Sequence, residues 1–117
     1  MANLKSRPWR EIAETYREFV EDNWDMQPML GLVDEIAASR YAEGSYATSS
    51  MATLCVAQTA EFELDRNMLR VDFKRGRFTF RYLESPYKGT AWQKECGRDE
   101  GFSTFEHVVD RLKWYLT

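Results

Sequence analysis

The chain has 117 residues, 44% of them hydrophobic and 30% charged, with a formal net charge of −3. That is enough polypeptide for one domain with its own core, and it excludes a largely disordered chain. The slightly acidic balance also disfavours a general polyanion binder.

Residues 9–24 read as an amphipathic helix. Trp9, Ile12, Ala13, Tyr16, Phe19 and Val20 recur at three- and four-residue steps, behind Pro8 at the start. Asp25-Met26-Gln27-Pro28 breaks the pattern. Met29, Leu32, Val33, Ile36 and Ala37 then resume it, so a second helix is expected over 28–40. Residues 42–50 are small and polar and read as a loop.

From residue 52 the apolar period changes to two. The first strand puts Leu54, Val56, Ala60, Phe62 and Leu64 on one side. The second puts Leu69, Val71 and Phe73 inward, and the third Phe78, Phe80 and Tyr82. Arg75-Gly76 between them is a two-residue turn signal. A tight hairpin there pairs Phe73 with Phe78, Val71 with Phe80 and Leu69 with Tyr82. A four-residue loop at Leu64–Asn67 would set Phe62 against Leu69 and Ala60 against Val71. Inward residues meet inward residues in both cases, which supports an antiparallel meander. Ser85 to Gly89 is a further turn, and a fourth strand follows at about 90–96. Ser103-Thr104-Phe105-Glu106 has the form of a capping box and opens a last helix over 103–116, striped by Phe105, Val108, Val109, Leu112 and Leu116. The expected fold is α+β over 1–117. An N-terminal helix pair, a four-stranded antiparallel meander over 52–96 and a C-terminal helix gather the helices on one sheet face.

The charge is uneven. Residues 66–88 hold seven Lys/Arg against two Asp/Glu. The strand register sends Arg70, Lys74, Arg77 and Arg81 to the outer sheet face. That face reads either as a solvated, salt-bridged surface or as a platform for phosphate, carboxylate or a nucleic-acid backbone. Against nucleic acid, Phe73, Phe78, Phe80 and Tyr82 alternate onto the other side, where bases cannot stack on them.

No phosphate-loop, dinucleotide, nucleophile-elbow or zincin motif occurs. Cys55 and Cys96 form no C-x-x-C pair, and one histidine is too few for the common zinc patterns. Cys96 or Cys55 with His107 is the one nucleophile–base combination available, and nothing in the sequence fixes its geometry. No metal and no cofactor are implied. The acidic residues of the first helix, Glu11 to Asp25, lack the accompanying His of a carboxylate metal site and read as a wet face.

Trp24 lies at the end of its helix, and Trp114 falls on the polar side of its own, next to Tyr115. These three are the candidate protein interface, for a partner or a second copy. No apolar run approaches the roughly 18 residues of a membrane helix, and Met1 to Trp9 lacks the apolar stretch of a secretion signal. The expectation is a cytoplasmic, non-catalytic binding or adaptor module that self-associates or takes a protein partner, away from membranes. Anionic-ligand or nucleic-acid binding is the alternative, and a small enzyme the third.

Overall fold

Pro8 opens the first helix because its missing N–H costs nothing there, and its carbonyl accepts from the N–H groups of Glu11 and Ile12. In the computed structural model, which describes residues 4–58, 61–62, 67–84 and 89–114, α1 spans Trp9–Glu21 and follows a two-residue strand, β1 (Leu4–Lys5). Trp9, Ile12, Ala13 and Tyr16 turn inward as their spacing requires. The helix stops three residues before the expected end. Asn23 adopts a left-handed backbone at φ 67°, and the Trp24 N–H bonds back to the Phe19 carbonyl. α2 spans Gln27–Ala37, with Pro28 in its first turn and Met29, Leu30, Leu32, Val33 and Ile36 buried.

The stretch expected to be a loop is ordered. Tyr41–Gly44 forms a short helix, α3, and Tyr46–Ser50 a strand, β2. Its side chains are too small to show an apolar period, yet Ala47 and Thr48 are buried. What holds β2 is its hydrogen-bonded ladder with β3 (Thr53–Ala57), which runs from Tyr46↔Ala57 to Ser50↔Thr53. On its other side the Arg7 N–H donates to the Ala47 carbonyl at 2.8 Å, and the Arg7 guanidinium donates to Thr15 and Ser49.

The chain continues through β4 (Glu61–Phe62), β5 (Met68–Lys74), β6 (Arg77–Leu83), β7 (Thr90–Gly97) and α4 (Gly101–Leu112). β1 pairs with β4, and the main sheet has five antiparallel strands in the order β2-β3-β5-β6-β7, one more than expected. The central hairpin has the expected register, Phe73↔Phe78, Val71↔Phe80 and Leu69↔Tyr82. Arg75 and Gly76 both take positive φ, 54° and 77°, the twist a two-residue hairpin needs.

The first register expectation was displaced. Leu69 faces Val56 rather than Phe62, and Val71 faces Leu54 rather than Ala60. β3 ends at Ala57, and Phe62 instead pairs with Leu4. Residues 59–60 and 63–66 of the expected strand lie outside the described residues, as does the turn at 85–88. The displacement is even, so Leu54, Val56, Leu69 and Val71 keep the core face, because sheet parity survives any even slip. One core therefore joins Leu54, Val56, Leu69, Val71, Phe73, Phe78 and Phe80 to Trp9, Ile12, Tyr16, Val33, Ile36, Phe105 and Val109 of the helices.

α4 starts two residues earlier than expected, and Ser103 caps nothing. Its hydroxyl donates to the Glu100 carbonyl from inside the first turn. Glu106 is drawn elsewhere, accepting from the Tyr41 hydroxyl at 3.0 Å. At the other end Lys113 takes a left-handed backbone, φ 59°, and closes the helix.

Tyr16 ties α1 to the sheet. Its phenol, fully buried, donates to the Ala52 carbonyl at 2.8 Å, and burial raises its pKa well above 10.0. A folded-state phenol pKa above the unfolded value gives stability that is complete below about pH 10 and is lost as pH rises beyond it. Tyr16→Phe should therefore cost about 1 kcal/mol at neutral pH by removing that hydrogen bond. It should also flatten the fall in stability above about pH 10. Urea titrations of both proteins at neutral and alkaline pH check this; parallel pH profiles would contradict it.

Candidate functional site

The outer sheet face carries the four sequence-selected cations in two rows. Thr48, Cys55, Arg70, Arg81 and Gln93 form one cross-strand row, and Lys74 and Arg77 stand opposite one another near the hairpin. Between them Asp72 faces Thr79, which faces Glu95. The carboxylate of Asp72 accepts from Arg81 at 2.6 Å and from the Thr53 hydroxyl. Arg77 lies 3.6 Å from Glu95. Two of the four cations thus have carboxylate partners on the same face. The exposed Arg77–Glu95 pair contributes little stability, whereas Arg81–Asp72 is half-buried; both lower the net field a ligand would feel.

That face is also not uniformly ionic. Cys55, Ala57, Met68 and Leu83 form a second buried cluster, on the side opposite the main core. Their alternation places them outward, so the face is greasy at one end and charged at the hairpin end. Arg70 sits at the junction. Burial pushes the Cys55 thiol up, and neighbouring Arg70 partly offsets this. The Arg70 Nε is enclosed, with no hydrogen-bond partner among the described residues.

The two thiols lie on opposite sheet faces, Cys55 beside Arg70 and Cys96 opposite Phe78. Burial also pushes the Cys96 thiol up; Thr104 partly offsets this by hydrogen bonding, and the charges acting on it are Glu100, Arg77 and Lys94. Protonated, enclosed thiols are poor nucleophiles. His107 is exposed on α4 and is not among the groups acting on either one.

The interface residues separate. Trp114 is buried at 3% exposure and belongs to the main core, which corrects its reading as a surface anchor. The reason is Lys113. Its left-handed turn ends the helix, so the helical spacing that put Trp114 on the polar side no longer applies, and the chain folds the indole inward. Tyr115 lies outside the described residues.

Trp24 stays out, at 45% exposure, stacked on Phe19 with centroids 4.6 Å apart and planes 12° apart. It borders a groove of about 350 Å³ with Met26, Met51, Ala52, Thr53, Asp72, Phe73 and Lys74. Met51 is 78% exposed and holds a positive φ of 56° in the β2–β3 turn. Such a position ordinarily takes Gly, Asn or Asp, since a side chain pays steric strain there. Lys74 lines the groove, with Arg75 next to it in the hairpin, and acidic Glu21, Asp22 and Asp25 are close in sequence to Trp24 at the α1–α2 corner; all five are exposed. Sequence alone singled out Trp24 but not Met51, whose place in the same groove is visible only once the turn lies beside the helix corner.

Among the described residues no group of His, Cys, Asp and Glu could hold a metal ion, and no helix is long and apolar enough to cross a membrane. No protein-family model, curated protein or solved structure matches the chain.

Proposed function

We propose that the protein is a non-catalytic binding module that self-associates through the Trp24–Met51 groove. Met51 carries the reading. It is a large apolar side chain held in water on a strained backbone, where glycine would serve folding better. Trp24, across the same groove, is half in water as well. Two exposed anchors around one apolar depression are the composition of an interface centre.

The occupant we favour is a second copy. A two-fold axis through the groove sets the acidic corner of one copy, Glu21, Asp22 and Asp25, against the basic hairpin of the other, Lys74 and Arg75. Both contacts form twice, as an isologous interface requires. A cytoplasmic location goes with this reading, because the thiols on opposite sheet faces cannot be joined within the chain. The buried, protonated state of both thiols supports the non-catalytic part.

Light scattering over a concentration series tests it. The mass should climb from one chain toward two, and added salt should push the midpoint to higher concentration. Met51→Gly should weaken association about tenfold, while its melting temperature stays level or rises, since glycine relieves the turn. A mass of one chain at every concentration would reject the reading, as would a Met51→Gly protein that associates unchanged.

A further inference from the structure

We propose that the groove between β7 and α4 binds a phosphate group, at a site independent of the Trp24–Met51 groove. Trp92, Lys94, His107, Val108 and Arg111 line a cavity of about 180 Å³ there. Three of the five are basic side chains, and among the described residues no carboxylate lines the cavity, although the chain as a whole is acidic at −3.

The fold itself produces this concentration of positive charge. The β6–β7 register sets Trp92 opposite Tyr82 and Lys94 opposite Phe80, so both point to the face the helices cover. β7 is the last strand of the sheet, so Lys94 stays exposed on that face instead of being buried. On α4, residues four apart share a flank. His107 and Arg111 therefore look toward β7 together. Glu106 and Asp110 share the other flank, where Glu106 accepts from Tyr41 and both act on Arg40. The helix turns its acids away from the cavity and its bases into it.

The Arg111 guanidinium lies 4.8 Å from the Trp92 ring centroid, and the indole in turn stacks on Tyr82. That contact steadies the guanidinium against an aromatic wall through its flat face, which does not consume its N–H donors. Among the described residues Arg111 makes no ion pair. An ammonium, an imidazole and a guanidinium thus approach one small space from two elements. Several donors around one centre match the tetrahedral oxygens of phosphate better than the two oxygens of a carboxylate. The cavity is several times the volume of a water molecule, so it takes a phosphate group together with part of the group that carries it.

The test is a titration of the isotope-labelled protein with inorganic phosphate, followed by amide and indole resonances. The indole N–H of Trp92 and the amides around Lys94, His107 and Arg111 should shift together and saturate. Lys94→Gln with Arg111→Gln should weaken binding about tenfold. Both residues are exposed, so the fold should be unchanged by circular dichroism. A soluble sugar phosphate and vesicles carrying a phosphoinositide, titrated separately, identify the kind of molecule that presents the group. The proposal fails if the Trp92 indole does not move, or if the double variant binds as the parent does. It fails equally if the Lys74–Arg77 hairpin shifts just as strongly, since that would be unspecific attraction to exposed cations.

Discussion

Trp114→Ala should remove about 3–5 kcal/mol of folding stability. The indole is 3% exposed and belongs to the core that also contains Phe105, Val108 and Val109 of α4. Truncation deletes the largest kind of apolar side chain and leaves a void that rigid neighbours cannot fill, so lost transfer energy and cavity cost add. A domain of this size has about 5–15 kcal/mol in total, so the loss is a large fraction of its stability. Urea unfolding should show a much lower midpoint at an unchanged slope. Had Trp114 been a surface anchor, the same change would lower association and leave the midpoint in place. Trp114→Phe, which keeps most of the apolar volume, should recover a large part of the loss.

Gly101→Ala should destabilise by about 1–3 kcal/mol, against the usual preference of helices for alanine. A Cβ at Gly101 would lie 2.8 Å from Cε2 of Phe78 and 3.1 Å from its Cζ. On its inner side the ring is blocked, so relief of the clash requires it to tilt toward the cavity of about 410 Å³ that it shares with Gly101. The ring is 1% exposed and packed against Phe73 at 4.9 Å and Phe80 at 6.2 Å between centroids. Gly101 is the first residue of α4, where alanine's gain in helix propensity is smaller than in the interior. Overpacking therefore outweighs it. A cycle with Phe78→Leu separates the two terms. If contact is the cause, the alanine should cost less in the Phe78→Leu background, by an interaction energy of about 1 kcal/mol. Strict additivity of the two changes would place the cause elsewhere.

Both predictions concern how α4 seats on the sheet, the part of the fold least visible in the chain. The capping-box letters at Ser103 gave a start two residues late, because Glu106 is more valuable as a partner of Tyr41 and the helix begins where Gly101 allows close approach to Phe78. The apolar stripe through Phe105, Val108 and Val109 was nevertheless right, since it depends on spacing and not on the terminus. In β2 the failure was of signal. Ala47 and Thr48 are buried without being large, so no local pattern distinguishes that strand from a loop.

The candidate sites divide in the same way. That Arg70, Lys74, Arg77 and Arg81 share the outer face followed from strict alternation about the Arg75-Gly76 turn. That Asp72 and Glu95 answer two of them, and that a greasy cluster occupies the other end of the face, required neighbouring strands in register. Trp24 stood out as an aromatic past the end of its helix. The groove it shares with Met51, and the basic cavity of Lys94, His107 and Arg111, assemble residues from elements distant in the chain.

By itself the sequence determined the class of fold, the face to which each central strand turns, and the helix stripes. Those features rest on periods of two and of three to four residues, which act over a few neighbours and survive an even slip of register. Only the tertiary structure decided the fifth strand, the true partner of Leu69, the burial of Trp114 and the make-up of both grooves. Each of these turns on which distant surface arrives to be covered, a choice made by packing across the whole core and by single backbone turns such as those at Met51 and Lys113.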